Sequence, residues 1–161
     1  MKNDLPYRKG VVCIVVFNNK YLLTRRCGWN KNWWKFPQGG IDEGEAEEDT
    51  IRRELCEELN IKSFKILMKS NKTFKYDWTE NLIKKNKHKW KGQIQSVYLI
   101  EYCGLRSEIK ISDPTEISEY MFVSKGNINE MIKPKAMVFR GYRDVVYEVL
   151  DEYEQKVAKL A

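Results

Sequence analysis

The hydrophobic pattern of the chain changes period several times, and each change predicts an element. Val11 to Phe17 is an apolar run of strand length, read as a buried strand. Asn18-Asn19-Lys20 supplies a turn into a second strand, Tyr21 to Arg25, so the chain opens with a hairpin. Farther on, Ile51, Leu55 and Leu59 recur every fourth position, the spacing of a helix that seats one face on a core. Glu47, Glu48 and Asp49 fall in its first turn, where the helix dipole favours negative charge, and Asn60 just past its end suits a left-handed cap. Phe64 to Tyr76 alternates well enough for one or two strands, and Ile94 to Tyr102 forms a clearer one. Between them, Trp78 to Gly92 is a long connection. Asp113-Pro114 marks a turn, Met121 to Val123 a short strand, and Tyr142 to Lys159 a terminal helix whose stripe of Val145, Val146, Val149, Leu150, Tyr153 and Val157 belongs to the core.

Composition narrows the class. With 161 residues, 42% hydrophobic and 12% aromatic, the chain is expected to form one globular domain over residues 1–161. The beginning, MKNDLPYRKG, has no apolar signal region and the longest apolar run is too short for a bilayer, so a soluble, cytoplasmic protein without a membrane partner is expected. Cys13, Cys27, Cys56 and Cys103 are scattered without a C-x-x-C pair, the pattern of reduced thiols rather than a zinc site. His88 is the only histidine, which argues against a histidine metal site or a Ser-His-Asp triad. The net charge of +6 suits a polyanionic substrate, and equally suits a merely well-solvated surface.

The candidate chemistry gathers on the central helix. Glu54, Glu57 and Glu58 stand at helical offsets that fan their carboxylates over roughly 100° of one side. Crowded like charges call for a cation or basic partners, and hard oxygen ligands favour magnesium, with manganese as the alternative. Gly39, Gly40 and Gly44 precede the helix in a loop open to unusual backbone conformations. Arg8, Arg25 and Arg26 flank the hairpin and are followed by Trp29, Trp33 and Trp34, rings that either stack on a base or pack. Lys84, Lys85, Lys87, His88, Lys89 and Lys91 surround Trp90, a run that either tracks a nucleic-acid backbone or is a solvated loop. Glu116 and Glu119 precede the late strand, where a carboxylate can act as base or extra ligand.

The stretch from Gly39 through Glu45 to Arg53-Glu54-Leu55-Cys56-Glu57-Glu58-Leu59-Asn60-Ile61 resembles the signature of the Nudix hydrolases, departing from it only at Asn60, where the family has Gly. Trp34 to Ile41, Tyr76-Asp77, Trp90 to Gln95, Pro114-Thr115-Glu116 and Phe139 to Tyr147 are similar to the branch that holds RNA pyrophosphohydrolases and diadenosine tetraphosphate hydrolases. The resemblance implies an α/β fold, an αβα sandwich with a mixed sheet between helices. It also implies a metal held by Glu54, Glu57, Glu58, Glu116 and the Gly39 carbonyl, and substrate contacts from Arg8, Arg26, Gln38, Gly40, Tyr76, Lys91, Gln95 and Phe139. Arg53, next to Glu54, is placed to orient Glu45 or another acidic side chain through a bidentate contact. Ser96 and Val97 replace a Lys and a Trp common in the family, which bears on substrate preference rather than chemistry. The expected activity is hydrolysis of a phosphoanhydride bond, first of RNA 5′ triphosphate or diphosphate ends. The alternatives are a dinucleoside polyphosphate hydrolase, a non-catalytic RNA- or nucleotide-binding module, and, more weakly, a house-cleaning nucleotide triphosphatase.

Overall fold

The computed structural model describes residues 1–132 and 141–160. Its centre is strand β1 (Tyr7–Phe17). Val11 to Val15 are all at most 1% exposed, because both faces of this strand are covered, and so the run carries no polar alternation. Asn18 and Asn19 take positive φ, 50° and 59°, as a tight hairpin turn requires and Asn tolerates. They lead into β2 (Lys20–Arg26), which pairs with the end of β1 and then with β6 (Ile117–Val123). The earlier part of the same β1 edge is taken by β3 (Gln38–Gly40), with Gly10 opposite Gly40 and Val12 opposite Gln38. On its other edge β1 runs parallel to β5 (Gly92–Tyr102), which is antiparallel to β4 (Phe64–Asp77). The mixed sheet of six strands has the order β4-β5-β1-β2-β6, with β3 beside β1.

Helices cover both faces. Ile51, Leu55 and Leu59 of α1 (Glu47–Leu59) pack on Val11, Cys13 and Val15. Val146, Val149 and Leu150 of the terminal helix, here α4 (Tyr142–Leu160), pack on Val12, Ile14, Val97 and Leu99. The alternate residues of β1 and β5 thus face different helices, giving the expected αβα sandwich. Asn60 adopts φ 57°, ψ 27°, and the N–H groups of Asn60 and Ile61 donate to the Cys56 and Leu55 carbonyls, both at 3.1 Å.

Several elements differ from the sequence reading. The late strand begins at Ile117 rather than Met121, because its backbone pairing with β2 extends beyond the apolar run; Glu119 therefore lies within it, paired with Arg25 at 2.9 Å. Strand β1 begins at Tyr7 rather than Val11, since its backbone pairing with β5 continues beyond the apolar run. Phe64 to Asp77, expected as one or two strands, is one strand whose register shifts near Met68 and Thr73 interrupt the alternation. The long connection holds a short helix, α2 (Glu80–Lys85), capped by the Thr79 hydroxyl, which accepts from the Leu82 N–H at 3.3 Å, and anchored by buried Ile83. A further turn of helix, α3 (Ile128–Met131), follows β6. Among the described residues no helix is long and apolar enough to cross a membrane.

Candidate active site

A cleft of about 900 Å³ lies where the start of β1, strand β3, helix α1 and the loops after β2 and before β6 meet. Its acidic wall comes from α1: helical spacing brings Glu54, Glu57 and Glu58 together, and Glu116 joins them from the loop before β6. The two glycines of β3 allow close approaches on either side. A Cβ on Gly39 would collide with the Glu54 carboxyl, and one on Gly40 with the Arg8 guanidinium. A glycine pair is therefore required where a carboxylate and a guanidinium each lie on bare backbone.

Arg53 organises the acidic wall from behind. Its Nε and Nη2 donate to the two Glu45 carboxylate oxygens, each at 2.8 Å, Nη2 also donates to the Gly40 carbonyl at 3.1 Å, and Nη1 donates to Glu54 Oε1 at 2.8 Å. Nη1 lies 3.6 Å from Glu57 Oε2. Glu45 further accepts from the Thr50 hydroxyl at 2.6 Å, which ties the loop to the helix. The Arg53 hydrogen bonds, helped by Thr50, hold the Glu45 carboxyl down to about 2.

Glu58 is different. It is buried, its Oε2 has no hydrogen-bond partner, and burial pushes its carboxyl up to about 8 against the opposing pull of the Lys35 ammonium. Burial likewise raises Glu54 above the usual carboxylate range, opposed by Arg53. Lys35 is buried too, and desolvation lowers its ammonium while Glu58 raises it. Desolvation thus acts on both partners toward neutrality. As placed, no three His, Cys, Asp or Glu side chains among the described residues form a ready cation site; Arg53 draws the Glu54 and Glu57 carboxylates to itself. The same cleft is lined by Arg8, whose guanidinium lies 5.1 Å from the Trp90 ring centre, and by exposed Arg26, 3.8 Å from Glu116.

The NUDIX domain pattern matches residues 6–143. The chain belongs to the NUDIX family. It is 34% identical over 155 residues to a Pelagibacter ubique protein named RNA pyrophosphohydrolase, covering 93% of this chain and 98% of that one. A Bartonella bacilliformis protein of the same name is 36% identical over 160 residues, covering 92% of each. Among solved structures, the dihydroneopterin triphosphate pyrophosphohydrolase of E. coli shares the fold with a TM-score of 0.66 at 16% identity, over 91% of this chain and 99% of that one.

Within this NUDIX cleft the structure brings together Arg8, Arg26, Gln38, Gly39, Gly40, Glu54, Glu57, Glu58, Tyr76 and Glu116 from the residues singled out in the sequence. Lys91 and Gln95 do not line it. The Lys91 ammonium sits 4.8 Å from the Tyr7 ring centre, and Gln95 is fully buried, one step deeper on β5. Gln93 takes the lining position, accepting from the Tyr76 hydroxyl at 2.7 Å. Phe139 lies outside the described residues. The tryptophans divide: Trp34 packs in the core, while Trp29 and Trp33, edge to face at 5.8 Å, line the cleft. Of the basic run, Lys85 reaches the cleft beside Leu82 and Asn86, and Lys84, Lys87 and Lys89 are exposed. Gln93 and Lys35 were not foreseen; the signal for Lys35 was a lone lysine between Trp34 and Phe36.

Proposed function

We propose that this chain is a divalent-metal-dependent phosphoanhydride hydrolase that converts RNA with a 5′ triphosphate or diphosphate to 5′-monophosphate RNA. The observation that carries the reading is the cleft itself, in which four carboxylates, Glu54, Glu57, Glu58 and Glu116, share one lining with arginines and aromatic rings. The donors that would hold the ion are these carboxylates and the Gly39 carbonyl, an all-oxygen set suited to magnesium or manganese. The unpartnered buried Oε2 of Glu58 and the bare backbone of Gly39 against Glu54 fit such an ion. When bound, it supplies charge to phosphate oxygens and lowers the pKa of water.

The chain's own residues do the rest. Arg8 and Arg26 bind phosphate oxygens, with Gln38, Gly40, Tyr76 and Gln93 shaping the floor around them. Trp29 and Trp33 offer rings to a terminal base. Arg53 orients Glu54 and Glu57, and Glu116 serves as a ligand or proton acceptor. The names of the relatives, the +6 charge and the exposed lysines beside α2 favour RNA over a dinucleotide, and a cytoplasmic location accords with that substrate.

Hydrolysis of 5′-triphosphorylated RNA and diadenosine tetraphosphate, measured in parallel at low and moderate salt, tests the substrate. The RNA is expected to be preferred and to lose affinity steeply with salt, because extended phosphate contacts release counterions. Preference for the dinucleotide would make the chain a dinucleoside polyphosphate hydrolase, and turnover of neither would make it a binding module.

A further inference from the structure

Lys35 is the one strongly buried cation in the wall of the cleft among the described residues, 5% exposed between buried Trp34 and Phe36. Its position is fixed by the backbone: the Thr24 and Lys35 N–H groups each donate to the other residue's carbonyl, at 2.7 and 2.9 Å. The Trp29 ring centre lies 6.0 Å from its Nζ. Arg26, by contrast, has a side chain 53% exposed and can swing into solvent. Lys35 shares the cleft wall with Glu54, Glu58 and Glu116; of the charges around it Glu58 acts on it most strongly and Arg26 opposes, although no direct ion pair ties Lys35 to a carboxylate among the described residues. Glu58 Oε2 is equally without a hydrogen-bond partner. A desolvated ammonium here is costly unless nearby negative charge offsets it, and the acidic wall is the nearby charge.

We propose that Lys35 is a built-in counter-ion of the carboxylate wall, a positioning residue that supplies part of the charge compensation otherwise left to the divalent ion and thereby weakens binding of that ion. This rests on the metal-dependent reading above. As an ammonium, Lys35 attracts the glutamates and repels an incoming dication, so removing it leaves the carboxylates undercompensated and the site hungrier for metal. Substitution of a metal-site neighbour usually loosens the ion; here the opposite sign is expected.

The test is a manganese titration followed by electron paramagnetic resonance on the whole chain, with wild type, Lys35→Met, Lys35→Gln and Glu58→Gln compared at one pH and melting curves recorded for each. Lys35→Gln retains a polar side chain should Lys35→Met fail to fold. The neutral variants are expected to bind manganese about tenfold more tightly than wild type, the scale of one lost charge in a partly buried site, and Glu58→Gln more weakly. Unchanged or weaker binding in the folded neutral variants overturns the proposal. So does a raised KM for RNA with unmoved manganese affinity, which would assign Lys35 to the substrate. Absence of manganese binding in every protein would sink the metal site itself, whereas binding without a difference sinks only the role of Lys35.

Discussion

Gly39→Ala should separate the chemistry of the site from the stability of the fold. The added methyl group meets Cγ, Cδ and Oε1 of Glu54, all well inside the ordinary contact range of 3.4–4 Å. The carboxyl group must therefore retreat by roughly 1 Å, and misplacement on that scale costs about 100-fold in rate where geometry governs the reaction, or about 2.7 kcal/mol of transition-state stabilisation. The fold has less to lose. Gly39 is only half-buried and needs no positive φ, and Glu54 keeps its partner Arg53. Gly44→Ala is the matched control: φ is +78° with nothing within 4 Å of the new Cβ, so backbone strain of about 1–2 kcal/mol is expected with turnover intact. The assay is magnesium-dependent release of phosphate or pyrophosphate from 5′-triphosphorylated RNA, with kcat and KM read separately and urea midpoints taken alongside. A folded Gly39→Ala protein with near-wild-type kcat would refute the reasoning, because the Glu54 position would then not matter.

Arg53→Lys replaces the guanidinium fork on Glu45 by a point charge and frees Glu54. It is expected to lower kcat by about 10- to 100-fold and the urea-derived stability by about 2 kcal/mol. The contribution of Glu45 should follow acid. Its folded carboxyl titrates near 2 instead of 4.5, so its stabilisation is complete above pH 4.5 and disappears as pH falls toward 2; the difference in urea midpoint between wild type and Glu45→Gln should shrink across that window. A difference that grew on acidification would contradict the Arg53–Glu45 contact. Tyr142→Phe leaves the buried Phe36 N–H without the hydroxyl that accepts from it at 3.0 Å, and should cost about 1–3 kcal/mol in urea unfolding.

The parts of this molecule that were legible in its sequence are those fixed by local period. The α1 carboxylates, the Asn18-Asn19 turn and the apolar stripe of α4 as far as Tyr153 each follow from neighbours a few residues apart, whereas Val157, expected in the core, is 46% exposed because it lies near the end of the helix, beyond the packed cluster. Depth along a strand does not. Gln93 and Gln95 share one face of β5, so alternation treats them alike, and only the pairing of β5 with β1 decides that Gln93 reaches the cleft while Gln95 is buried beneath it. Lys91 looks like its neighbours in a basic run, yet the Tyr7 ring captures it. Helix α2 is too short to show a period, being anchored by Ile83 alone. Lys35 was hidden because an aromatic-flanked lysine reads as packing until the fold gathers it into one cleft lining with Glu58.

The most direct test of the central claim is the chemistry at the RNA 5′ end. Purified protein, 5′-triphosphorylated RNA and magnesium are combined, and the new 5′-monophosphate ends are counted, with Glu57→Gln and a chelator in parallel. The expected result is multiple turnovers by wild type, loss of turnover in the folded Glu57→Gln variant, and recovery from chelation when magnesium or manganese is restored. Undiminished turnover in Glu57→Gln, or turnover indifferent to the chelator, would contradict a carboxylate-held metal as the centre of this site.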